Sequence, residues 1–324
     1  MTTRPGHSAA RPEDLLRALE PTAGALLNRH LGIAKEWFPH EFIPYSLGRD
    51  YGTEAWTPDQ PRLSGVARVA FEVNLLTEDN LPSYHRLIHT FFGNGDGAWV
   101  TWANRWTAEE GRHAIVLRDY LTVTRNTDPV LLERARMQQV QAGYAHAAED
   151  PLRQLAYVAF QELATRISHA NTGRFSQDPV ANRIADRVAA DENLHMVFYR
   201  DALAAALELD PSAGVLAIAA EVRAFQMPGG TIQNFARKAA QIARAGIYDL
   251  RIHHDEVVWP LLRYWRIFEI GSLNSAAARA REELACFLAQ LNRRASRFEE
   301  RLAVQSNLAG DRQLADQPRL SGPT

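Results

Sequence analysis

The chain has 324 residues, a formal net charge of −2 at pH 7 and a single cysteine, Cys286. This charge gives no electrostatic reason to expect nucleic-acid binding, and a lone cysteine excludes an intramolecular disulfide and fits a reducing, cytoplasmic compartment. No run of about 18 apolar residues could span a membrane, and residues 1–11 are polar and unlike a signal peptide.

The hydrophobic pattern is helical along the chain, and no alternating pattern typical of a β-strand persists. Residues 1–11 are predicted to be disordered, and residues 12–303 to form a single helical domain. The domain begins with a short helix from Glu13 to Glu20 and a further helical stretch from Leu26 to Trp37. Residues 37–45 are aromatic and contain two prolines, which predicts an extended strap packed over the helices.

Four long helices are predicted to form the core, over Ser64–Phe92, Ala98–Thr124, Asp150–Ala170 and Pro179–Leu207. We expect a kink at Pro82 in the first of them, because proline lacks a backbone donor and crowds the preceding turn. Shorter helices are predicted over Asp128–Tyr144, from Pro211 to Gln226, from residue 231 to Ala245, and over Asp249–Ile270 and Ser275–Ala303. Residues 304–324 are polar and are predicted to be a flexible tail.

Two of the core helices each carry a Glu-x-x-His sequence, Glu110 with His113 and Glu192 with His195. Residues i and i+3 lie on one face of an α-helix, so one metal ion can contact both side chains. A single copy is weak evidence in a chain with 21 glutamates and 11 histidines. The sequence before each copy strengthens the evidence. The lone glutamate Glu78 precedes Glu110 by 32 residues, and the lone glutamate Glu162 precedes Glu192 by 30 residues.

A turn signal lies near the middle of each interval, at residues 93–97 and 171–179. Each interval therefore predicts a helical hairpin in which the lone glutamate on the first helix faces the Glu-x-x-His sequence on the second. Two such hairpins supply the ligand set of a carboxylate dimetal site in a four-helix bundle. Four buried carboxylates need balancing positive charge, which two Fe(II) ions would supply. Mixed oxygen and nitrogen ligands suit iron or manganese.

Longer strings resemble one known family, the soluble acyl-acyl-carrier-protein desaturases of plant plastids and actinobacteria. The most specific are residues 106–113, Trp-Thr-Ala-Glu-Glu-Gly-Arg-His, and residues 167–172, Ile-Ser-His-Ala-Asn-Thr. Others lie at residues 76–84, 160–165, 190–195 and 209–211. The resemblance extends from about Trp37 to Arg301. It implies an all-α fold with a ferritin-like four-helix bundle core and additional flanking helices, assembled as a homodimer.

The resemblance also implies roles for particular residues. It assigns two Fe ions to six ligands: Glu78, Glu110, His113, Glu162, Glu192 and His195. Glu110 and Glu192 would bridge the two ions. Thr165 would be the hydroxyl beside the dioxygen site, and Trp37 and Asp191 with His113 would carry electrons from the surface. The chain departs from the plant pattern at Gly111, where plants have Asn, and at Ala114, where they have Gly.

The activity implied by the resemblance is the oxygen-dependent insertion of a cis double bond into an acyl chain carried by acyl carrier protein. Electrons would come from a ferredoxin-type donor, and the depth of a narrow apolar channel would set the bond position. A diiron hydroxylase or N-oxygenase, a non-enzymatic iron-binding ferritin-like protein and a catalytically idle relative remain open alternatives. A ribonucleotide-reductase-like subunit is disfavoured, because no tyrosine is identified near the ligands on the same helix face.

Several other residues have ordinary structural interpretations. Trp99, Trp102 and Trp106 recur at helical spacing and are expected to pack in the core. His169 is expected to make a structural hydrogen bond, and His85 to lie in the core or beside the ligands. One later helix has a basic face, formed by Arg237, Lys238, Gln241 and Arg244. A solvated surface is the plainer interpretation of this face, and a docking site for an acidic carrier protein is the alternative.

Overall fold

The computed structural model describes residues 12–93, 95–145 and 150–315, and these residues contain helices and no β-strand. The helices are α1 (Pro12–Ile33), α2 (Gly65–Glu78), α3 (Leu81–Phe92), α4 (Ala98–Val123), α5 (Pro129–Ala142), α6 (Pro151–Ser176), α7 (Pro179–Leu209), α8 (Pro211–Ala224), α9 (Phe235–Arg244), α10 (Leu250–Ile252), α11 (Trp259–Tyr264) and α12 (Ser275–Ala315). The predicted disordered segment, residues 1–11, lies outside the described residues.

A four-helix bundle forms the centre of the fold, as predicted. Helices α6 and α7 form a closely packed hairpin, α2 contacts α4, and contacts of α2 with α6 and of α4 with α7 close the bundle. Helix α1 lies across α4 and α7, while α8 packs on α6 and is itself covered by α12. No helix in the described part of the chain combines the length and apolarity that crossing a membrane requires.

The first core helix is divided in two, where a kinked single helix was predicted. Helix α2 ends at Glu78 and α3 begins at Leu81. The ring of Pro82 would clash with the carbonyl four residues earlier, which belongs to Glu78. The break therefore comes before the proline and places Glu78 at the last turn of α2.

Helix α6 continues to Ser176, past the predicted end at Ala170, and the turn reduces to Gln177 and Asp178. Gly173 does not end the helix, because it packs at a close approach of α6 to α7. A Cβ built on Gly173 would lie 2.7 Å from the Cβ of Ala185 and 3.2 Å from the Cα of Asn182. Tertiary packing therefore overrides the local turn signal at residues 171–173.

Replacing Gly173 by alanine should lower the free energy of unfolding by about 1–3 kcal/mol, the usual cost of overpacking a well-packed contact. Gly111→Ala is a matched change with the opposite expected sign. Gly111 lies inside α4, and the nearest atom to its built Cβ is Leu81 Cδ2 at 3.9 Å, an ordinary contact. Alanine should stabilise that helix by up to about 1 kcal/mol. Urea unfolding measures the free energy of unfolding of both variants. Equal changes of the same sign would contradict the two predictions.

Other boundaries also differ from prediction. Helix α1 runs unbroken through Pro21 but ends at Ile33, before Trp37. The region predicted as one helix over Asp249–Ile270 contains a π-helical turn, His253–Val258, just before Pro260, whose ring excludes regular α-helical bonding to the turn behind it. Helix α12 extends to Ala315, so the tail predicted from residue 304 does not begin there, because no proline interrupts the helix before Pro318.

The segment after α1 packs over the bundle as the predicted strap. It contains two short 3₁₀ turns, Pro39–Glu41 and Tyr45–Leu47. Its side chains at Trp37 and Ile43 are buried, and Trp37 contacts Phe42 edge to face with ring centroids 5.3 Å apart. The strap thereby brings Trp37 against Asp191 and Arg187 in the middle part of α7.

Candidate metal centre

The six predicted ligands meet in the middle of the bundle. They form two groups: Glu78, Glu110, His113 and Glu192 in one, and Glu110, Glu162, Glu192 and His195 in the other. Within each group, one oxygen or ring nitrogen per residue lies within 4.8 Å of all the others. Every side chain in both groups is buried, and Glu110 and Glu192 belong to both. The arrangement could hold a metal ion in each group.

Helix geometry explains why these side chains converge. Each Glu-x-x-His sequence places its carboxylate and imidazole on the inner face of α4 or α7. The Nδ1 atom of His113 lies 3.2 Å from Glu192, 3.4 Å from Glu110 and 3.6 Å from Glu78. The Nδ1 atom of His195 lies 2.8 Å from Glu110 and 3.6 Å from Glu162. Both imidazoles therefore direct the same nitrogen towards the carboxylates.

The buried carboxylates of the cluster differ in how readily they ionise. Burial, followed by the charge of Glu192, raises the pKa of Glu110 and raises that of Glu162 well above its ordinary value. Burial also opposes ionisation of Glu78, but the neighbouring imidazoles of His113 and His169 outweigh it and lower the pKa to about 2. The surrounding protein therefore disfavours the ionised forms of Glu110 and Glu162, which a bound cation would favour.

Unsatisfied polar atoms point into the same space. Glu110 Oε1, Glu162 Oε2 and the Nδ1 atoms of His113 and His195 are buried without a hydrogen-bond partner among the described residues. Buried polar groups without partners are rare and call for an explanation such as an ion. A hard or borderline divalent cation bound by carboxylate oxygens and imidazole nitrogens fits these atoms.

The oxygens that face away from the cluster are held by neighbouring side chains. Trp106 Nε1 donates to Glu162 Oε1 at 2.9 Å, and His169 Nε2 donates to Glu78 Oε1 at 2.9 Å. Thr165 Oγ1 lies 2.8 Å from Glu192 Oε2 and donates a hydrogen bond to it. These contacts fix which oxygen of each of these three carboxylates turns inward.

Trp37 and Asp191, which the resemblance assigns to an electron route, lie next to each other beside His113. Trp37 Nε1 donates to Asp191 Oδ2 at 2.7 Å, and that oxygen lies 3.5 Å from His113 Nε2. The rings of Trp37 and His113 are nearly parallel, with centroids 6.4 Å apart. Arg112 and Arg187 also contact Asp191. Burial works against it, but contacts with His113 hold the pKa of Asp191 at about 2.

Two neighbours of the cluster were not predicted from the sequence. Glu109 Oε2 accepts hydrogen bonds from His195 Nε2 at 3.0 Å and from His30 Nε2 at 2.9 Å. Tyr199 is fully buried one helical turn after His195, and burial and the charge of Glu162 raise the pKa of its hydroxyl. The expectation that no tyrosine lies near the ligands on their helix face was wrong; the i+4 spacing from His195 was the missed signal.

The remaining sequence interpretations divide between packing and the site. Trp99 and Trp102 pack in the core, Trp102 against Phe198 with ring centroids 3.6 Å apart. Trp106, in contrast, contacts a predicted ligand. His169 makes the predicted hydrogen bond, and its partner is Glu78. His85 is half-buried and bonds Thr107 at 2.8 Å.

Comparison with known proteins gives a consistent result. The profile of the family described as fatty acid desaturase matches residues 11–313. The acyl-[acyl-carrier-protein] desaturase DesA1 of Mycobacterium tuberculosis is 50% identical over 296 residues, 88% of this chain and 87% of that protein. The chloroplastic stearoyl-[acyl-carrier-protein] 9-desaturase 6 of Arabidopsis thaliana is 34% identical over 279 residues, 80% of this chain and 71% of that protein.

A solved structure supports the fold. The X-ray structure of the acyl-ACP desaturase DesA2 from M. tuberculosis has a TM-score of 0.66 and 28% sequence identity, and the match covers 78% of this chain and 95% of that one. The ferritin-like all-helical architecture predicted from the sequence is confirmed. With a profile match over nearly its whole length and close relatives of this kind, the chain belongs to the fatty acid desaturase family that comprises the acyl-[acyl-carrier-protein] desaturases.

Proposed function

We propose that the protein is an oxygen-dependent diiron enzyme that introduces a cis double bond into a fatty acyl chain carried on acyl carrier protein. The observation that carries this proposal is the buried cluster of four carboxylates and two imidazoles, with polar atoms left free to bind metal, in a member of the desaturase family. No observation in the described part of the chain specifically favours the hydroxylase, N-oxygenase or iron-storage alternatives.

We assign two iron ions to the six predicted ligands. Glu78 and His113 would complete one position and Glu162 and His195 the other, with Glu110 and Glu192 shared, since these two belong to both groups. When bound with dioxygen, the iron pair would supply the oxidising power needed to remove hydrogen from adjacent methylenes. Thr165 would place its hydroxyl proton beside the cluster, and Asp191 and Trp37 would pass electrons to the His113 position.

The acyl chain would lie along one face of α6. A cavity of about 90 Å³ is lined by Thr165, Ser168 and His169, and one of about 20 Å³ by Gln154, Val158 and Gln161. These residues recur every three or four positions and form one stripe, roughly 22 Å long from Gln154 to His169. Glu78 borders the first cavity and Trp106 the second, so the stripe passes the cluster midway.

The surface around the larger cavity suits an acidic carrier. Helix α9 lines this cavity with Phe235, Ala239 and Ile242, at i, i+4 and i+7. Its other face carries Arg237, Lys238 and Arg244, so basic groups lie beside the apolar cavity. We therefore favour the interpretation of this face as a docking site for an acidic carrier protein over that of a merely solvated surface. The proposal also includes a ferredoxin-type electron donor, a homodimeric enzyme and a cytoplasmic location.

The direct test incubates the iron-loaded protein with dioxygen, a ferredoxin reducing system and acyl carrier proteins bearing chains of several lengths. Mass spectrometry should detect a product two mass units lighter than one of the substrates. A product sixteen units heavier would indicate hydroxylation. Iron uptake without any change in the acyl chains would contradict the desaturase proposal.

Ala239→Phe should lower the rate of product formation by about tenfold or more, because the added ring occupies the cavity that the acyl chain needs and each loss of about 1.4 kcal/mol in transition-state binding lowers the rate tenfold. The metal content should not change, since Ala239 is not one of the six candidate ligands. Ala236→Phe is the matched control, because Ala236 is an exposed residue of the same helix. Equal rates for the two variants would argue against an acyl chain in this cavity.

A further inference from the structure

The residue that precedes each shared glutamate reaches across the bundle to the imidazole on the other helix. Glu109 of α4 bonds His195 of α7, and Asp191 of α7 approaches His113 of α4. The two halves of the centre are therefore related by an approximate twofold axis. Each imidazole has a carboxylate behind it, on the side opposite the cluster.

A second aromatic side chain lies behind each of these carboxylates. Trp37 donates to Asp191 and is stacked on His113, while His30 donates to Glu109 and is stacked on His195 with ring centroids 5.9 Å apart. His30 comes from the last turn of α1, and Trp37 from the strap that follows it. One short stretch of chain thus supplies the outer partner at both ends of the centre.

The two ends are not equivalent. The distance from imidazole Nε2 to carboxylate oxygen is 3.0 Å at His195 and 3.5 Å at His113. Only the first contact has hydrogen-bond geometry, since His113 Nε2 has no hydrogen-bond partner among the described residues. Asp191 is also shared between Arg112 and Arg187, which compete for its charge.

Glu109 divides its two oxygens between different partners. Arg105 bonds Oε1, which leaves Oε2 to accept from His195 and His30 together. His30 and Glu109 are 4% and 3% exposed, so water cannot readily replace either contact. The bond from Nε2 of His195 fixes its tautomer and leaves Nδ1 as the lone-pair donor towards the cluster.

We propose that His30 is a positioning residue that, through Glu109, holds His195 in register and makes the metal position at His195 the tighter of the two. The proposal rests on the dimetal centre assigned above. A carboxylate that accepts the second ring N–H of a metal-bound histidine orients the ring and increases its basicity. The His195 position has such a contact and the His113 position has a weaker one, so the two affinities should separate.

The experiment titrates the metal-free full-length protein with Co(II), whose visible absorption reports nitrogen and oxygen coordination, and with Mn(II) under the same conditions. The wild type should bind two ions in two distinguishable steps. His30→Ala should weaken the tighter step by about tenfold, the low end of the 10–100-fold effect of losing a ligand's direct partner, because His30 acts through Glu109, and should leave the weaker step within about threefold. His30→Gln retains an N–H donor near the position of Nε2 and should recover most of the loss.

Trp37→Phe provides the matched variant at the other end, because it removes the indole donor to Asp191 while keeping an aromatic ring. It should change the metal affinity of the weaker binding step and leave the affinity of the tighter step unchanged. Unchanged binding in His30→Ala, or an equal loss in both steps without recovery in His30→Gln, would overturn the positioning role while leaving the dimetal proposal intact. A wild type that binds neither ion would overturn both, and thermal unfolding of each variant verifies that it remains folded.

Discussion

Glu192→Gln is expected to reduce the desaturation rate by at least about 100-fold, with metal content falling below two ions per chain. The amide retains the size of the carboxylate but loses its charge and one oxygen that can bind metal. Glu192 belongs to both ligand groups and accepts a hydrogen bond from Thr165. Losing a partner behind a ligand typically costs 10–100-fold, and losing a shared ligand should cost no less.

The control for this change is Glu208→Gln, a glutamate on the exposed face of the same helix. It removes the same charge from α7 without touching the cluster, so rate and metal content should match the wild type. Elemental analysis and the acyl carrier protein assay measure both quantities on the same preparations. A Glu192→Gln protein that keeps two ions and the full rate would remove Glu192 from the site.

The sequence predicted which six side chains meet in the cluster because the geometry of that cluster is largely local. The i and i+3 spacing fixes the relation of Glu110 to His113 and of Glu192 to His195 on any α-helix. The two similar intervals to Glu78 and Glu162 required only that each half fold back on itself. Neither step depends on helix boundaries, so the break after Glu78 and the extension of α6 did not disturb the result.

The side chains behind the ligands could not be predicted in the same way. His30 and Glu109 are 79 residues apart, and their contact depends on how α1 lies across α4 and α7. No periodic pattern encodes that crossing. One signal was nevertheless visible, since an acidic residue precedes the shared glutamate in both copies, at Glu109 and Asp191.

Two physical causes account for several of the missed boundaries. Proline acts on the turn behind it, which moved the break from Pro82 to the residues after Glu78 and placed a π-helical turn before Pro260. Gly173 was interpreted as a local turn signal, whereas its role is to permit close contact between α6 and α7. Local propensity is a weak guide where two helices pack this closely.

Removal of the metal should destabilise the protein, and by more at about pH 8 than at about pH 6. An ion that binds only the native state stabilises it by about 4 kcal/mol when its free concentration is 1,000 times its dissociation constant. For a chain of this size that corresponds to a decrease in melting temperature on the order of 10 °C when the ion is removed.

The pH dependence follows from groups whose pKa is raised in the metal-free fold. Burial and then Glu192 raise the pKa of Glu110 and Glu162. Burial opposes the charged form of His113 and His195, but surrounding carboxylates raise the pKa of both. Groups with a raised pKa stabilise the fold fully below their unfolded pKa, and that stability is lost as pH rises through the folded pKa. The pKa of Glu78 is lowered to about 2, so the stability that its ionisation contributes is fully present above its ordinary pKa. It therefore does not change between about pH 6 and about pH 8.

The stability of the metal-bound protein changes with pH in the opposite direction. Metal ligands must be deprotonated, so the affinity for the metal rises with pH. Melting temperatures measured with and without a chelator should consequently diverge from about pH 6 to about pH 8. Glu192→Gln, which lacks a shared ligand, should show a much smaller gap at every pH. A gap that narrows with rising pH would mean that the buried carboxylates are neutralised by something other than a bound cation.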